Sequence, residues 1–317
     1  MGLATAIILA AGKGTRMRSL KPKVLHEVCG TTLLECVVEA LHNVGIQRII
    51  VIVGDRKEAV KECLKGRSVE FVEQKEQLGT ADAVKSTKHL LITDSTDTII
   101  ILNGDTPFIK DQTLRRLLVK NAETNADVTI LTAYLDNLQE YGRISRDYKG
   151  CIKEIIESGE ASTDELKIKE INVGIYVFRV SSLLEGIDLI VPHNKKGEFY
   201  LTDVISILYN KGKKIENIVS ENTAEVMGIN NQRDLAVANK LRSEEIICSL
   251  MERGVTIIDT PNTFIENHVE IGEGTEIYPF TYICKDVVIG QRCSIGPFAY
   301  LKSGTRIGDD IKICYMM

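Results

Sequence analysis

Residues 7–25, IILAAGKGTRMRSLKPKVL, run an apolar stretch into a loop that carries two glycines and the cations Lys13, Arg16, Arg18, Lys21 and Lys23. Gly12 and Gly14 let backbone N–H groups approach an anion closely, while Arg16 and Lys23 can make charge-assisted contacts to separate phosphates. Pro22 fixes the backbone just before Lys23. A polyphosphate cradle and a solvated surface turn are both compatible with this spacing. The dinucleotide fingerprint is not, because its third glycine is missing, and no G-x-x-x-x-G-K-[ST] can be drawn through the loop.

Two further stretches carry chemistry. Asn103-Gly-Asp105-Thr-Pro107 ends the apolar run 98–102 with a carboxylate. Mg²⁺ takes one or two carboxylates plus substrate phosphate oxygens in preference to an all-protein cage, which suits Asp105; the same residue also reads as the start of the turn that Pro107 completes. In Glu73-Gln-Lys-Glu-Gln-Leu-Gly-Thr80, between a strand and a helix expected from Thr80, Gln74 offers a donor and an acceptor in one plane, as reading a pyrimidine edge requires.

These stretches must be held by regular elements. Residues 5–11, 48–53, 69–72, 98–102 and 126–133 read as strands, and Leu33, Leu34, Val37, Val38 and Leu41 share one helical face between the first two. Apolar strands alternating with helices predict a mostly parallel sheet covered on both faces. In such sheets ligands bind beyond the carboxyl ends of the strands, where the opening loop would lie. This pattern occupies residues 1–230; 231–253 reads as one charged connecting helix stopped by Gly254; the period changes over 254–317.

There, Ile265, Ile271, Ile277, Ile283, Ile289, Ile295, Leu301, Ile307 and Ile313 recur every six residues, each of the first eight followed four residues later by a mostly small or β-branched side chain. This is the hexapeptide repeat of a parallel β-helix, with the aliphatic residue inside and the glycines that follow it (Gly272, Gly290, Gly296, Gly308) expected to turn corners. Three hexapeptides per coil give fewer than three coils, with no polar cap in sight.

The 317 residues are 44% hydrophobic with a formal net charge of −5, which allows a large core and argues against a nucleic-acid or anionic-membrane binder. No apolar run approaches a membrane span and no secretory leader is visible, so a cytoplasmic location is expected. The eight cysteines contain no C-x-x-C pair and are expected to be reduced and mostly buried. His26, His42, His89, His193 and His268 have no metal-ligand spacing and read as structural or surface residues.

Together, LAAGKGTRMRSLKPKVLH, EQLGTADAV, NGDTPFI, YGRI, EINVGIY, EFYLTD and EVMGINN, in this order, resemble the family of bacterial bifunctional N-acetylglucosamine-1-phosphate uridyltransferases/glucosamine-1-phosphate acetyltransferases, over about residues 5–312. The resemblance implies an α/β, Rossmann-like nucleotidyltransferase domain followed by a short left-handed β-helix. It implies transfer of UMP from UTP to N-acetylglucosamine 1-phosphate for cell-wall precursor synthesis. Leu9, Ala10, Ala11 and Gly12 would line the nucleotide pocket, with Gln74, Gly79 and Thr80 at uracil. Gly14, Arg16 and Lys23 would hold the triphosphate, and Asp105 with Asn230 would carry Mg²⁺. Gly142, Glu157, Asn172, Tyr200 and Thr202 would hold the sugar phosphate. A homotrimer through the β-helix is also implied.

Three departures from the family pattern stand out. Asn103 occupies a position that is often aromatic or small, Ser158-Gly-Glu160 follows Glu157 where a basic residue is common, and Lys302 replaces the arginine that ends I-G-P-F-A-R-L-R. The sequence also stops before the coils that carry the family's acetyltransferase histidine, so acetyl transfer is not expected from a C-terminally truncated chain.

Overall fold

The computed structural model of the chain describes residues 4–54, 56–92, 96–136, 141–192, 194 and 197–314. They form two compact units: Met1–Leu25 with Leu33–Gly228, and His26–Thr32 with Ile229–Met317. The division differs from 1–230, 231–253 and 254–317. The connecting helix shares a core with the hexapeptide segment, and residues 26–32 leave the first unit altogether.

In the first unit, β1 (Ala4–Ala10) is followed, after the hairpin β2 (Glu27–Val28) and β3 (Thr31–Thr32) of the second unit, by α1 (Leu33–Asn43). Next come β4 (Arg48–Val53), α2 (Lys57–Cys63), β5 (Glu70–Glu73), α3 (Thr80–Lys85), α4 (Lys88–Ile92), β6 (Thr98–Asn103), α5 (Asp111–Thr124) and β7 (Val128–Tyr134). The unit closes with β8 (Arg143–Arg146), β9 (Ile152–Ile156), β10 (Glu170–Arg179), α6 (Val180–Ile187), α7 (Asp203–Asn210) and β11 (Ile215–Ser220). The strands expected at 5–11, 69–72, 98–102 and 126–133 are present with ends moved by one or two residues.

The main sheet runs β11-β7-β10-β6-β1-β4-β5, with β8 and β9 attached through β10. Successive β1 residues face opposite ways: Ala6, Ile8 and Ala10 pack with α1 and α5, and Ile7 packs with α3, α6 and α7. Both faces are therefore dry, which is why β1, β4 and β6 read as continuous apolar runs. The sheet is mixed where the alternation predicted mostly parallel: β10 runs antiparallel to both β6 and β7. A strand buried on both faces has the same composition in either direction, so its reversal leaves no trace in the pattern.

The second unit begins with α8 (Gln232–Glu252), whose Asn231 caps the helix through a capping box with Asp234. Gly254 just beyond takes φ +86°, the left-handed stop that glycine tolerates. Ile247 and Leu250 of α8 pack against Val255, Ile257 and Ile265 at the start of the repeats. Strands β12 (Thr256–Ile257), β13 (Phe264–Ile265), β14 (Glu270–Ile271), β15 (Glu276–Ile277), β16 (Tyr282–Ile283), β17 (Val288–Ile289), β18 (Ser294–Ile295), β19 (Tyr300–Leu301), β20 (Arg306–Ile307) and β21 (Lys312–Ile313) follow. They pair in parallel into three sheets, Ile265 beside Ile283 and Ile271 beside Ile289, so one coil takes eighteen residues. This is the expected β-helix, consistent with the left-handed hexapeptide form.

The repeat glycines do a different job from the one expected. The left-handed corner falls three residues after the interior aliphatic, at His268, Gly274, Phe280, Asp286, Arg292, Phe298, Gly304 and Asp310 in turn. Of the glycines one residue after the aliphatic, only Gly296 has a positive φ. Gly272 and Gly290 are required by stacking: a Cβ on Gly272 would lie 2.6 Å from the Gly290 carbonyl carbon, and one on Gly290 2.7 Å from that of Gly308. Gly290→Ala is therefore expected to destabilise the β-helix by about 1–3 kcal/mol or more, because two backbones must separate. Gly308→Ala, whose Cβ would meet nothing within 4 Å, should leave the melting midpoint unchanged. Equal midpoints for the two variants would refute the stacking role.

Of the eight cysteines, Cys29, Cys36, Cys284 and Cys293 are buried, Cys63 is half-buried and Cys151, Cys248 and Cys314 are exposed, all as free thiols. Burial is thus less general than expected. His193 lies outside the described residues.

Candidate active site at the carboxyl ends of the sheet

Four parallel strands end side by side: Leu9 is in register with Asn103, Ala10 with Val53, and Val53 with Glu73. The residues that follow, Ala11, Gly54, Gln74 and Gly104, consequently share one edge. The chain goes from β1 to β4 and β5 on one side and returns with β6 on the other, so β1 and β6 flank the switch point at which such sheets bind ligands.

The loop after β1 is held at three places. Gly14 takes φ +59° and accepts at its carbonyl from Met17 N–H at 2.9 Å, and the Met17 side chain is buried. Lys23 starts a short turn whose other residues, Val24 and Leu25, are buried. A Cβ on Gly14 would lie 2.6 Å from the Lys23 Cβ, so only glycine lets the loop close on itself. Just ahead of these anchors the backbone N–H groups of Gly12, Lys13 and Gly14 have no hydrogen-bond acceptor among the described residues. Successive unengaged N–H groups at an exposed glycine turn form an anion-binding concavity, and this favours the cradle over the solvated turn.

Lys23 Nζ forms an ion pair with Asp105 Oδ2, both side chains being mostly buried. Asp105 follows β6, and Gly104 N–H donates to Leu9 O at 3.0 Å, which ties the two loops together. Asp105 suits a divalent cation: it is a single carboxylate at a phosphate-type loop, the donor set Mg²⁺ uses with substrate oxygens. Among the described residues no group of three or more His, Cys, Asp and Glu side chains gathers as a metal cage. Asn230, whose N–H is held by Asp234 Oδ2 at 2.8 Å, begins the second unit, whereas every other site residue expected from the sequence lies in the first.

Gln74 is buried, and its amide nitrogen donates to Gly79 O at 3.0 Å and Asp82 Oδ2 at 2.7 Å. Both N–H donors are used internally, so the amide presents an acceptor to a ligand and not the donor–acceptor pair expected. Gly79 takes φ +120° and lies against the Phe199 backbone. The segment is zipped to the next loop by Phe199 N–H to Leu78 O (2.7 Å), Ala81 N–H to Phe199 O (2.9 Å) and Leu201 N–H to Thr80 Oγ1 (2.9 Å).

That loop carries Tyr200 and Thr202. Thr202 Oγ1 donates to Glu157 Oε1 at 2.9 Å, and Asn172 N–H donates to Gly142 O at 2.9 Å. Asn172 Nδ2 also donates to the Tyr176 hydroxyl at 2.7 Å. Asn172 sits at a β10 bulge where Gly174 takes φ +83°, and a Cβ on Gly174 would run into Asn103 Nδ2. Bulges commonly aim side chains at active sites. Burial, reinforced by Glu198, Glu157 and Glu160, pushes the Tyr200 phenol up to about 12, so it stays a protonated donor near neutrality. Burial likewise raises Tyr176 and lowers Arg143, whose side chain is almost wholly enclosed. Gly142, Glu157, Asn172, Tyr200 and Thr202 thus form one cluster, joined to the loops that follow β5 and β6 through the 78–81 zipper and the Asn103–Gly174 approach.

Sequence reasoning missed Gln77, Gly54 and Gly104, which clamp these loops. Gln77 lay inside the quoted EQLGT segment but had no side-chain pattern to mark it.

Comparison with known proteins agrees with this geometry. Residues 6–161 match the MobA-like NTP transferase domain and residues 268–303 match the bacterial transferase hexapeptide (six repeats). The chain is 43% identical over 274 residues to the bifunctional protein GlmU of Clostridioides difficile (strain 630), covering 86% of this chain and 59% of that protein. Over that span the chain is a homologue of the GlmU proteins. The GlmU of Carboxydothermus hydrogenoformans is 44% identical over 273 residues, covering 86% of this chain and 60% of the relative. The chain therefore spans about three-fifths of the GlmU relatives it matches. Two solved structures share its fold. One is a Bacillus anthracis protein described as a glucose-1-phosphate thymidylyltransferase, in complex with sucrose (TM-score 0.62, 22% identity, 75% of this chain and 94% of that one). The other is a UDP-glucose pyrophosphorylase complexed with UDP-glucose (TM-score 0.63, 15% identity, 77% and 100%). No helix among the described residues of the chain is long and apolar enough to cross a membrane.

Proposed function

We propose that the chain transfers UMP from UTP to N-acetylglucosamine 1-phosphate, releasing pyrophosphate and forming UDP-N-acetylglucosamine. The observation that carries this reading is the meeting of Lys23 and Asp105 at the switch point between β1 and β6, beside three unengaged backbone N–H groups. A sugar phosphate monoester is already nucleophilic at neutral pH, so the site needs alignment and charge neutralisation in place of a protein nucleophile.

In this reading Leu9, Ala10, Ala11 and Gly12 line the nucleotide and the Gln74 carbonyl accepts from the uracil N–H beside Gly79 and Thr80. Gly14, Arg16 and Lys23 hold the triphosphate, and Lys23 and Arg16 neutralise charge as pyrophosphate departs. Within the first unit, Asp105 is the residue that would hold Mg²⁺, which when bound screens phosphate charge. Glu157, steadied by Thr202, and Asn172, steadied by the Gly142 backbone and Tyr176, would orient the sugar with Tyr200 as a donor. The β-helix, with its exposed stacked Phe280 and Phe298, would serve association of copies into a trimer.

The test is pyrophosphate release with Mg²⁺, UTP and N-acetylglucosamine 1-phosphate, with glucose 1-phosphate in parallel. Preference for the acetylated sugar is expected; no release with either sugar would overturn the reading. Glu157→Ala should raise KM for the sugar phosphate by about tenfold or more, the worth of a charged hydrogen bond, with KM for UTP nearly unchanged. An unchanged sugar KM would remove Glu157 from the sugar site.

A further inference from the structure

The Ala11–Gly12 peptide is held from one side by a single side chain. Gln77 Nε2 donates to Ala11 O at 2.8 Å. A trans peptide is planar with C=O and N–H pointing opposite ways, so whatever fixes the Ala11 carbonyl fixes the direction of the Gly12 N–H. That N–H has no acceptor among the described residues, and a Cβ on Gly12 would meet no protein atom within 4 Å.

We propose that Gln77 is a positioning residue for the phosphate-holding loop, acting through the Ala11 carbonyl to aim the Gly12 N–H at the triphosphate. The inference rests on the nucleotide reading above. Two observations support it independently of that bond. Gly54 faces the same junction, and a Cβ there would lie 2.6 Å from both Ala11 O and Gln77 Nε2, so the contact requires glycine at that position. The other half of the amide, Gln77 Oε1, is buried with no hydrogen-bond partner among the described residues. A buried acceptor left unpaired is costly, and a side chain needed only to fill space would carry no such atom. What the position retains is the donor.

The two loops meet on one side of a cleft of about 720 Å³ lined by Lys13, Gly54, Gln74 and Gln77 among others. Gln74 belongs to the base side of the nucleotide reading and Gln77, three positions on, to the phosphate side. The two roles are therefore separable by ligand.

Calorimetric titration with UTP, inorganic tripolyphosphate and uridine, on the wild-type chain and on Gln77→Met and Gly54→Ala, tests this. One lost hydrogen bond predicts about a tenfold weakening of UTP and tripolyphosphate in both variants, with uridine affinity held within about twofold. Gln77→Met removes the donor at constant volume and Gly54→Ala displaces the junction while leaving Gln77 intact, so the shared pattern does not depend on one variant folding well. Unchanged UTP affinity in both variants, or equal weakening of uridine and UTP, would overturn the positioning role. A wild-type chain that binds neither UTP nor tripolyphosphate would overturn the nucleotide reading and this inference with it.

Discussion

Asp105→Ala is expected to lower pyrophosphate release by roughly a hundredfold to a thousandfold, the usual range for removing one pre-organised electrostatic group from a reacting centre. The reason is local. Asp105 and Lys23 form an ion pair with little solvent access at the ends of β1 and β6. In the proposed reaction each meets its own substrate partner, Asp105 a divalent cation and Lys23 a phosphate oxygen. Removing Asp105 takes this carboxylate from Lys23 and, in the proposed reaction, the anionic contact from the metal. Lys23→Ala should produce a loss of similar size. The double variant should lose far less than the product of the two, because residues acting on one step are not additive. Single-turnover measurement of the three variants decides the matter. Release within tenfold of wild type in Asp105→Ala would sink the assignment, and strict additivity would separate the two residues.

Gly79→Ala is the second large effect expected. Gly79 adopts φ +120° and ψ 178°, a region that side chains avoid at a cost of about 1–3 kcal/mol. Its new Cβ would also face the Phe199 backbone, with the amide nitrogen at 2.8 Å and the carbonyl carbon at 2.9 Å. Relief requires the 78–81 and 199–201 segments to part, breaking the hydrogen bonds that join them. Those segments carry the residues proposed for the uracil and sugar sides respectively, so KM should rise for both UTP and the sugar phosphate, each by about tenfold or more. Gly142→Ala supplies the contrast. Its Cβ would crowd the Ile155 Cγ2 at 3.0 Å and reach Ile156 O and Asn172 Cβ only at ordinary contact distance, and its effect should fall on the sugar alone. A Gly79→Ala variant in which only KM for UTP changes would show that the zipper does not couple the two sides.

The sequence made some of this legible for plain physical reasons. Runs buried on both faces, such as Ile99 to Leu102, announce themselves as strands, and Gly254 marks the end of α8. The six-residue period has no other cheap explanation than a β-helix. What stayed hidden depends on direction or distance. Nothing in the composition of Glu170–Arg179 distinguishes an antiparallel strand from a parallel one. Gly272 and Gly290 look like corner glycines until the neighbouring coil is placed eighteen residues away. The donors of Gln74 look available until Gly79 and Asp82 are seen to take them. Gln77 and Gly54 meet only in the folded chain. The loop after β1 was legible as an alternative, and the unengaged N–H groups at Gly12, Lys13 and Gly14 favour its cradle reading.

Residues 26–32 give the chain an unusual itinerary. It leaves the first unit after Leu25, only two positions beyond Lys23, visits the second for the β2–β3 hairpin, returns at Leu33 and departs again after Gly228. Within the second unit, Asn267 Nδ2 donates to Val28 O, Cys29 O and Thr31 Oγ1, and Asn239 Oδ1 accepts from Cys29 N–H at 2.9 Å. A dissection at residue 228 would therefore not yield two finished modules. The amino-terminal fragment would carry an orphaned turn just downstream of Lys23, and the carboxyl-terminal fragment would lack part of its own framework. Modular recombination of such a gene requires either keeping the two asparagines with the hairpin or redesigning the turn to stand alone.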